Sequence, residues 1–175
     1  MNMRYRHRQS GMTLLISMVM LITLTLLGLT SIQATRTEVS MAGNLREADI
    51  AFNAAEAGLK DGENFVGATT SKNTYTDPAT GLYSKTDDDP DYHKDLTWVA
   101  SQNALTVVPH VKEQPKFIAK YLGDRAQNNA ALLNIGGYGS GLPGKIVSNF
   151  RITAKGVGQT DNAVRYVQSY YGKEY

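Results

Sequence analysis

The stretch Asp87-Asp88-Asp89-Pro90-Asp91 places carboxylates at the alternate positions 87, 89 and 91. Hard cations such as calcium take oxygen ligands at that spacing, which makes these three residues the candidate for metal chemistry. The remainder of a calcium loop is missing. Its sixth position is Tyr92, where the sharp turn needs glycine, and its twelfth is Trp98, where a bidentate glutamate belongs. The stretch reads as a solvated acidic loop. Gly139-Ser140-Gly141-Leu142-Pro143-Gly144 fits the phosphate-binding pattern G-x-G-x-x-G in spelling only. Pro143 has no amide to offer a phosphate, and the residues that follow read as a strand where the motif requires a helix. That segment is expected to be a surface loop suited to contacts. His7, His93 and His110 lie in separate segments with neither metal nor triad spacing. Cysteine is absent, which excludes disulfides, thiolate nucleophiles and thiolate-ligated metals. The residues form no catalytic constellation and imply no cofactor, so a structural or binding role is expected and an enzyme is not.

The elements that carry these residues begin with a sharp boundary. Arg4, Arg6 and Arg8 precede Gly11, and from Gln9 to Thr35 no side chain is charged. The most apolar part, 12–32, makes a helix of about 31 Å, close to the ~30 Å of a bilayer's hydrocarbon layer. Its serines and threonines can bond back to carbonyls of the preceding turn, which makes them tolerable in lipid. The run is longer than the apolar core of an ordinary secretory signal and lacks a clean small-x-small cleavage site. The basic head orients the chain with its N-terminus in the cytoplasm and residues 36–175 across the membrane. Those three arginines also account for the net charge of +2: without them 15 basic groups face 16 acidic ones. A chain so nearly neutral carries no general nucleic-acid signature, and direct nucleic-acid binding is not expected.

From Asn44 the sequence continues "NLREADIAFNAAEAGLKDGENFV", with Leu45, Ala48, Phe52, Ala55, Leu59, Gly62 and Val66 at helical spacing. Asn44 is the expected N-cap with Glu47 as its capping-box partner, and Gly43 is expected to loosen the junction. Residues 67–104 read as loop. Alternation then predicts strands over 104–111, 115–122, 145–158 and 163–171, with Phe150, Ile152 and Ala154 facing the helix and Arg151, Thr153 and Lys155 facing water. Tyr166, Tyr170, Tyr171 and Tyr175 concentrate near the C-terminus, as on a half-buried sheet face. The expected fold class is α+β: a long N-terminal helix, one half membrane-spanning and one half amphipathic, packed by an antiparallel β-sheet. The expected organisation is a leader 1–11, a membrane or filament-core half-helix 12–35, and a periplasmic head 36–175.

Gly11 at the edge of a basic head, then Met12-Thr13-Leu14-Leu15 and an uncharged run, resembles the class III signal of type IV pilins and type II secretion pseudopilins. The stretches "MAGNLREADIAFNAAEAGL" and "FRITAKGVGQTDNAVRYVQSYY" are similar to the corresponding parts of PilX-type minor pilins. The resemblance implies a pilin-like fold. It implies cleavage between Gly11 and Met12 by an inner-membrane prepilin peptidase, methylation of Met12, and an assembly helix led by Thr13, Leu14, Leu15 and Ile16. Typical members carry glutamate where this chain has Ile16, and its absence resembles tip-located minor pilins and pseudopilins. The implied partners are other minor pilins, the major pilin, the inner-membrane assembly machinery and a tip adhesin. The implied location is the inner membrane before assembly and the pilus tip after it. Two alternatives stay open: a type II secretion pseudopilin, and a single-pass periplasmic binding or sensor module.

Overall fold

The computed structural model describes residues 11–126 and 146–175. Helix α1 (Met12–Ala68) is followed by β1 (Leu82–Tyr83), α2 (Asp95–Val99), β2 (Gln102–Asn103), β3 (Lys116–Ala126), β4 (Ile146–Val157) and β5 (Val164–Glu174). The chain divides into two compact units, Met1–Asn44 and Leu45–Tyr175.

In the first unit every described side chain is exposed, and the apolar ones are left without a protein partner. The helix satisfies its own polar groups. Ser17 Oγ donates to the Leu14 carbonyl, Thr23 to Met20, Thr25 to Ile22 and Thr30 to Leu27, each at 2.8–2.9 Å. A helix so satisfied and so apolar is long and greasy enough to cross a membrane.

In the second unit the sheet order is β1-β3-β4-β5, with β2 also on β3. All pairs are antiparallel except the two-residue β1, which lies parallel to β3. Phe117, Ala119, Phe150, Ile152 and Ala154 form the core with Val66, Tyr75 and Leu82. The sheet meets α1 along Ala51, Ala54, Ala55, Gly58, Gly62 and Val66, all buried. Small side chains are needed because the backbones come close. A Cβ on Gly156 of β4 would collide with the Ala51 carbonyl oxygen and the Ala55 amide, and one on Gly62 would come within 2.6 Å of Ile152 Cγ2.

Several expectations are corrected here. Gly43 and Asn44 lie inside an unbroken helix, so Asn44 caps nothing. Glu47 reaches across the fold, accepting from the Gln159 amide at 2.9 Å and the Thr160 amide at 3.2 Å. The apolar seam is rotated. Ala55, Gly62 and Val66 are buried as expected, but Leu45 is 67% and Phe52 43% exposed, because close approach to β4 selects the small-residue stripe beside them. Residues 104–111 form no strand. Side chains take the hydrogen bonds a ladder would have supplied: Asp61 receives the Thr106 amide, and Gln114 both donates to the Val108 carbonyl and accepts from its amide. The strands over 115–122, 145–158 and 163–171 are present, with β3 and β5 running a few residues farther.

Candidate functional site

Two features of the molecule can meet partners: the open apolar helix and the charged outer face of the sheet. At the start of α1, Gly11 has a positive φ of 101° and the helix begins on Met12. Thr13, Leu14, Leu15 and Ile16 follow in its first turns, all exposed. An aliphatic surface of this length has low energy only against hydrocarbon or other helices.

The outer face of the sheet is the one turned away from α1. Cross-strand register places Lys120 opposite Arg151 and Lys116 opposite Lys155. The acidic stretch is the counter-charge of the first pair, whereas Lys116 pairs with Glu113 at 2.5 Å and Lys155 with Asp95 at 3.4 Å. Asp89 accepts from Lys120 Nζ and from Arg151 Nη2, and Lys120 also donates to the Asp87 carbonyl at 2.7 Å. These partners, Arg151 first and Lys120 second, hold the Asp89 carboxyl below the usual carboxylate range. Asp87 accepts from the Ser84 amide at 2.6 Å, and Asp91 from the His93 amide at 3.1 Å. The three candidate calcium ligands are therefore spent on separate partners, Asp89 on two of them. Among the described residues, no group of three metal-ligating side chains converges.

Trp98, 2% exposed, fastens this segment. Its ring stacks on Tyr166 at 5.6 Å and its Nε1 donates to the Tyr92 carbonyl. His93 meets the edge of Tyr166 at 5.4 Å, a packing contact, while His110 sits in a loop with φ of 60°. Tyr171 packs against the core, whereas Tyr170 is 68% exposed. His7 and the glycine-rich loop 139–144 lie outside the described residues.

Arg151, Thr153 and Lys155, expected to face water, lie on the face away from α1 but are covered, Thr153 being 3% and Lys155 8% exposed, because Asp89, Asp95 and Trp98 pack over them. Sequence reading saw neither Lys120 nor Trp98 as their companions. The available signal was charge: a run of acids upstream of strands that carry Lys116, Lys120, Arg151 and Lys155 at alternate positions. Elsewhere, Lys72 at 2.7 Å, then Ser148 and Tyr121, pull the Asp124 carboxyl down to about 2. Burial pushes the Tyr75 phenol up to about 12.

Family models account for nearly the whole chain. One described as PilX N-terminal matches residues 10–60, and one described as type IV pilus assembly protein PilX C-term matches residues 62–173. No curated protein and no solved structure matches it. The first match takes in the apolar helix and the second the sheet with its acidic segment, so the chain belongs to the PilX family of type IV pilus assembly proteins.

Proposed function

We propose that the protein is a minor pilin that helps prime type IV pilus assembly and sits at or near the pilus tip. It is made as a prepilin in the inner membrane with its N-terminus in the cytoplasm. Prepilin peptidase removes residues 1–11 and Met12 is methylated. Removal of Arg4, Arg6 and Arg8 matters physically, because a basic head would be expensive to draw through hydrocarbon. The remaining helix then exchanges acyl chains for neighbouring helices. The observation that carries this reading is the exposed, uncharged helix start at Met12, in a chain that belongs to the pilus-assembly family.

Tip placement rests on Ile16. A carboxylate at that depth is retained only where a neighbouring subunit's amine neutralises it, and isoleucine dispenses with both the cost and the pairing. A subunit of this kind need dock on no earlier one. Its partners are the other minor pilins, the major pilin, the inner-membrane machinery and a tip adhesin. The test is the intact mass of the protein co-expressed with prepilin peptidase. Loss of residues 1–11 with gain of one methyl group is expected. An intact N-terminus on protein from normally piliated cells would refute the proposal.

A further inference from the structure

The outer sheet face is a three-by-three grid. Its first row is Lys120, Arg151 and Tyr170, its second Ile118, Thr153 and Gln168, and its third Lys116, Lys155 and Tyr166. Two rows place cation opposite cation on neighbouring strands, an arrangement that costs energy unless another charge intervenes. Within this grid only Ile118 is aliphatic, and the next row is Val157 opposite Val164. The grid itself is mostly polar and charged, although Ile118 is 1%, Thr153 3% and Lys155 8% exposed.

What covers it is the segment 84–100, and its attachments are of a particular kind. Asp89 holds Lys120 and Arg151, while Asp95 reaches Lys155 at only 3.4 Å; Glu113, from the following loop and outside the segment, holds Lys116 at 2.5 Å and reaches Lys155 at 3.8 Å. The holding carboxylates face water: the Asp89 side chain is 56% and that of Asp95 96% exposed. Ion pairs open to solvent on one side are screened by salt and contribute little each. Of the segment's apolar side chains, Trp98 is buried on the grid, while Leu96 and Val99 are 81% and 78% exposed. Arg151 keeps a buried Nε without a hydrogen-bond partner, a donor that the covering segment does not satisfy.

We propose that residues 84–100 form a counter-ion lid over a latent anion-binding face of the sheet, and that a linear polyanion is the ligand that displaces it. Lys116 and Lys120 are four residues apart on β3, about 13 Å at strand rise, so the two cation pairs match charges spread along a chain better than a single phosphate. Arg151 and Lys120 supply fixed donors at one end, Lys155 and Lys116 those at the other. Lid opening exchanges carboxylate partners for the incoming anion's oxygens and uncovers Trp98, Ile118 and the Tyr166 ring on which Trp98 stacks. The inference is independent of the assembly reading, because it concerns only the second unit.

The chain contains one tryptophan, so Trp98 emission reports on the lid. The full-length protein in non-ionic detergent is titrated with long-chain inorganic polyphosphate, with orthophosphate at equal phosphorus as control. Asp89→Asn, which weakens the lid and leaves the cations in place, is expected to bind polyphosphate about tenfold tighter than the parent chain. Trp98 emission should move to the red on binding while the far-ultraviolet circular dichroism of the sheet stays constant. Adding Lys120→Gln should cancel the gain. Equal affinity of parent and Asp89→Asn, equally good competition by orthophosphate, or a Trp98 shift seen only when sheet signal is lost would each overturn the proposal. Should Asp89→Asn not fold, Asp95→Asn alters only a carboxylate already in water. It must then tighten polyphosphate binding measurably, and unchanged affinity refutes the lid.

Discussion

Lys173 shows how one side chain completes an element it does not belong to. Helix α1 ends with carbonyls that have no partner within the helix, and Lys173 of β5 donates to those of Val66 and Gly67 and to that of Thr69 just beyond the helix. Lys173→Met keeps the stem and removes the charge. It is expected to cost about 1–3 kcal/mol, read as a shift in the urea unfolding of the head. Asp124 makes a pH prediction. Its folded value, near 2, lies below its ordinary 3.8, so its pairing with Lys72 and Ser148 stabilises the fold above about pH 4 and that contribution vanishes as pH falls through about 2. Thermal midpoints measured from about pH 5 down to about pH 2 should fall less steeply in Asp124→Asn than in the parent. Parallel curves would show that the pairing adds nothing. None of these partners was legible in sequence. Lys72 and Asp124 are 52 residues apart, and Lys173 lies 106 from Gly67.

At the scale of elements, the contact between α1 and β4 is set by absent side chains. Gly156→Ala must push the helix backbone at Ala51 and Ala55 away from the strand. A loss of about 1–3 kcal/mol is expected in chemical denaturation, the usual penalty of overpacking a rigid interface. Gly43 is the contrast, since a Cβ there meets nothing within 4 Å and the residue sits mid-helix. Gly43→Ala should stabilise the helix by up to about 1 kcal/mol, seen as raised helical circular dichroism on heating. These opposite signs separate two glycines that look alike in sequence. Period-3.6 and period-2 patterns reveal which residues alternate, and they located α1 and strands β3, β4 and β5. They say less about how near two backbones come. That is why Leu45 and Phe52 stood out as seam residues, while Ala51 and Gly58 carry the packing.

At the scale of the molecule, the two units divide the work. The first, over its described residues, is helical with every side chain exposed and uncharged as far as Thr35, and the second holds a packed core with a covered sheet face. In a helix that shares its environment with copies of its kind, residue 16 decides whether a buried charge has to be matched. Ile16→Glu restores that demand. The variant is expected to enter pilus shafts more readily or to disturb priming, measured as its share of sheared pili and as pilus number per cell. Unchanged values of both would count against a tip position.

Sequence alone determined the membrane-length apolar helix and the three long strands. Each of these follows from local spacing: twenty-odd uncharged residues favour a helix of membrane length, and apolar side chains at every second position favour a half-buried strand, although over 104–111 side-chain hydrogen bonds overrode the same pattern. Tertiary structure alone decided the role of the acidic stretch. Carboxylates spaced like metal ligands became counter-ions because the β3–β4 register sets Lys120 beside Arg151 under Asp89. It also decided that Asn44 caps nothing, because an end exists only where the chain stops being helical, and here Glu47 is drawn to the turn at Gln159 while the helix runs on. Distant charges and backbone approach depend on how elements are brought together, and that information is not local.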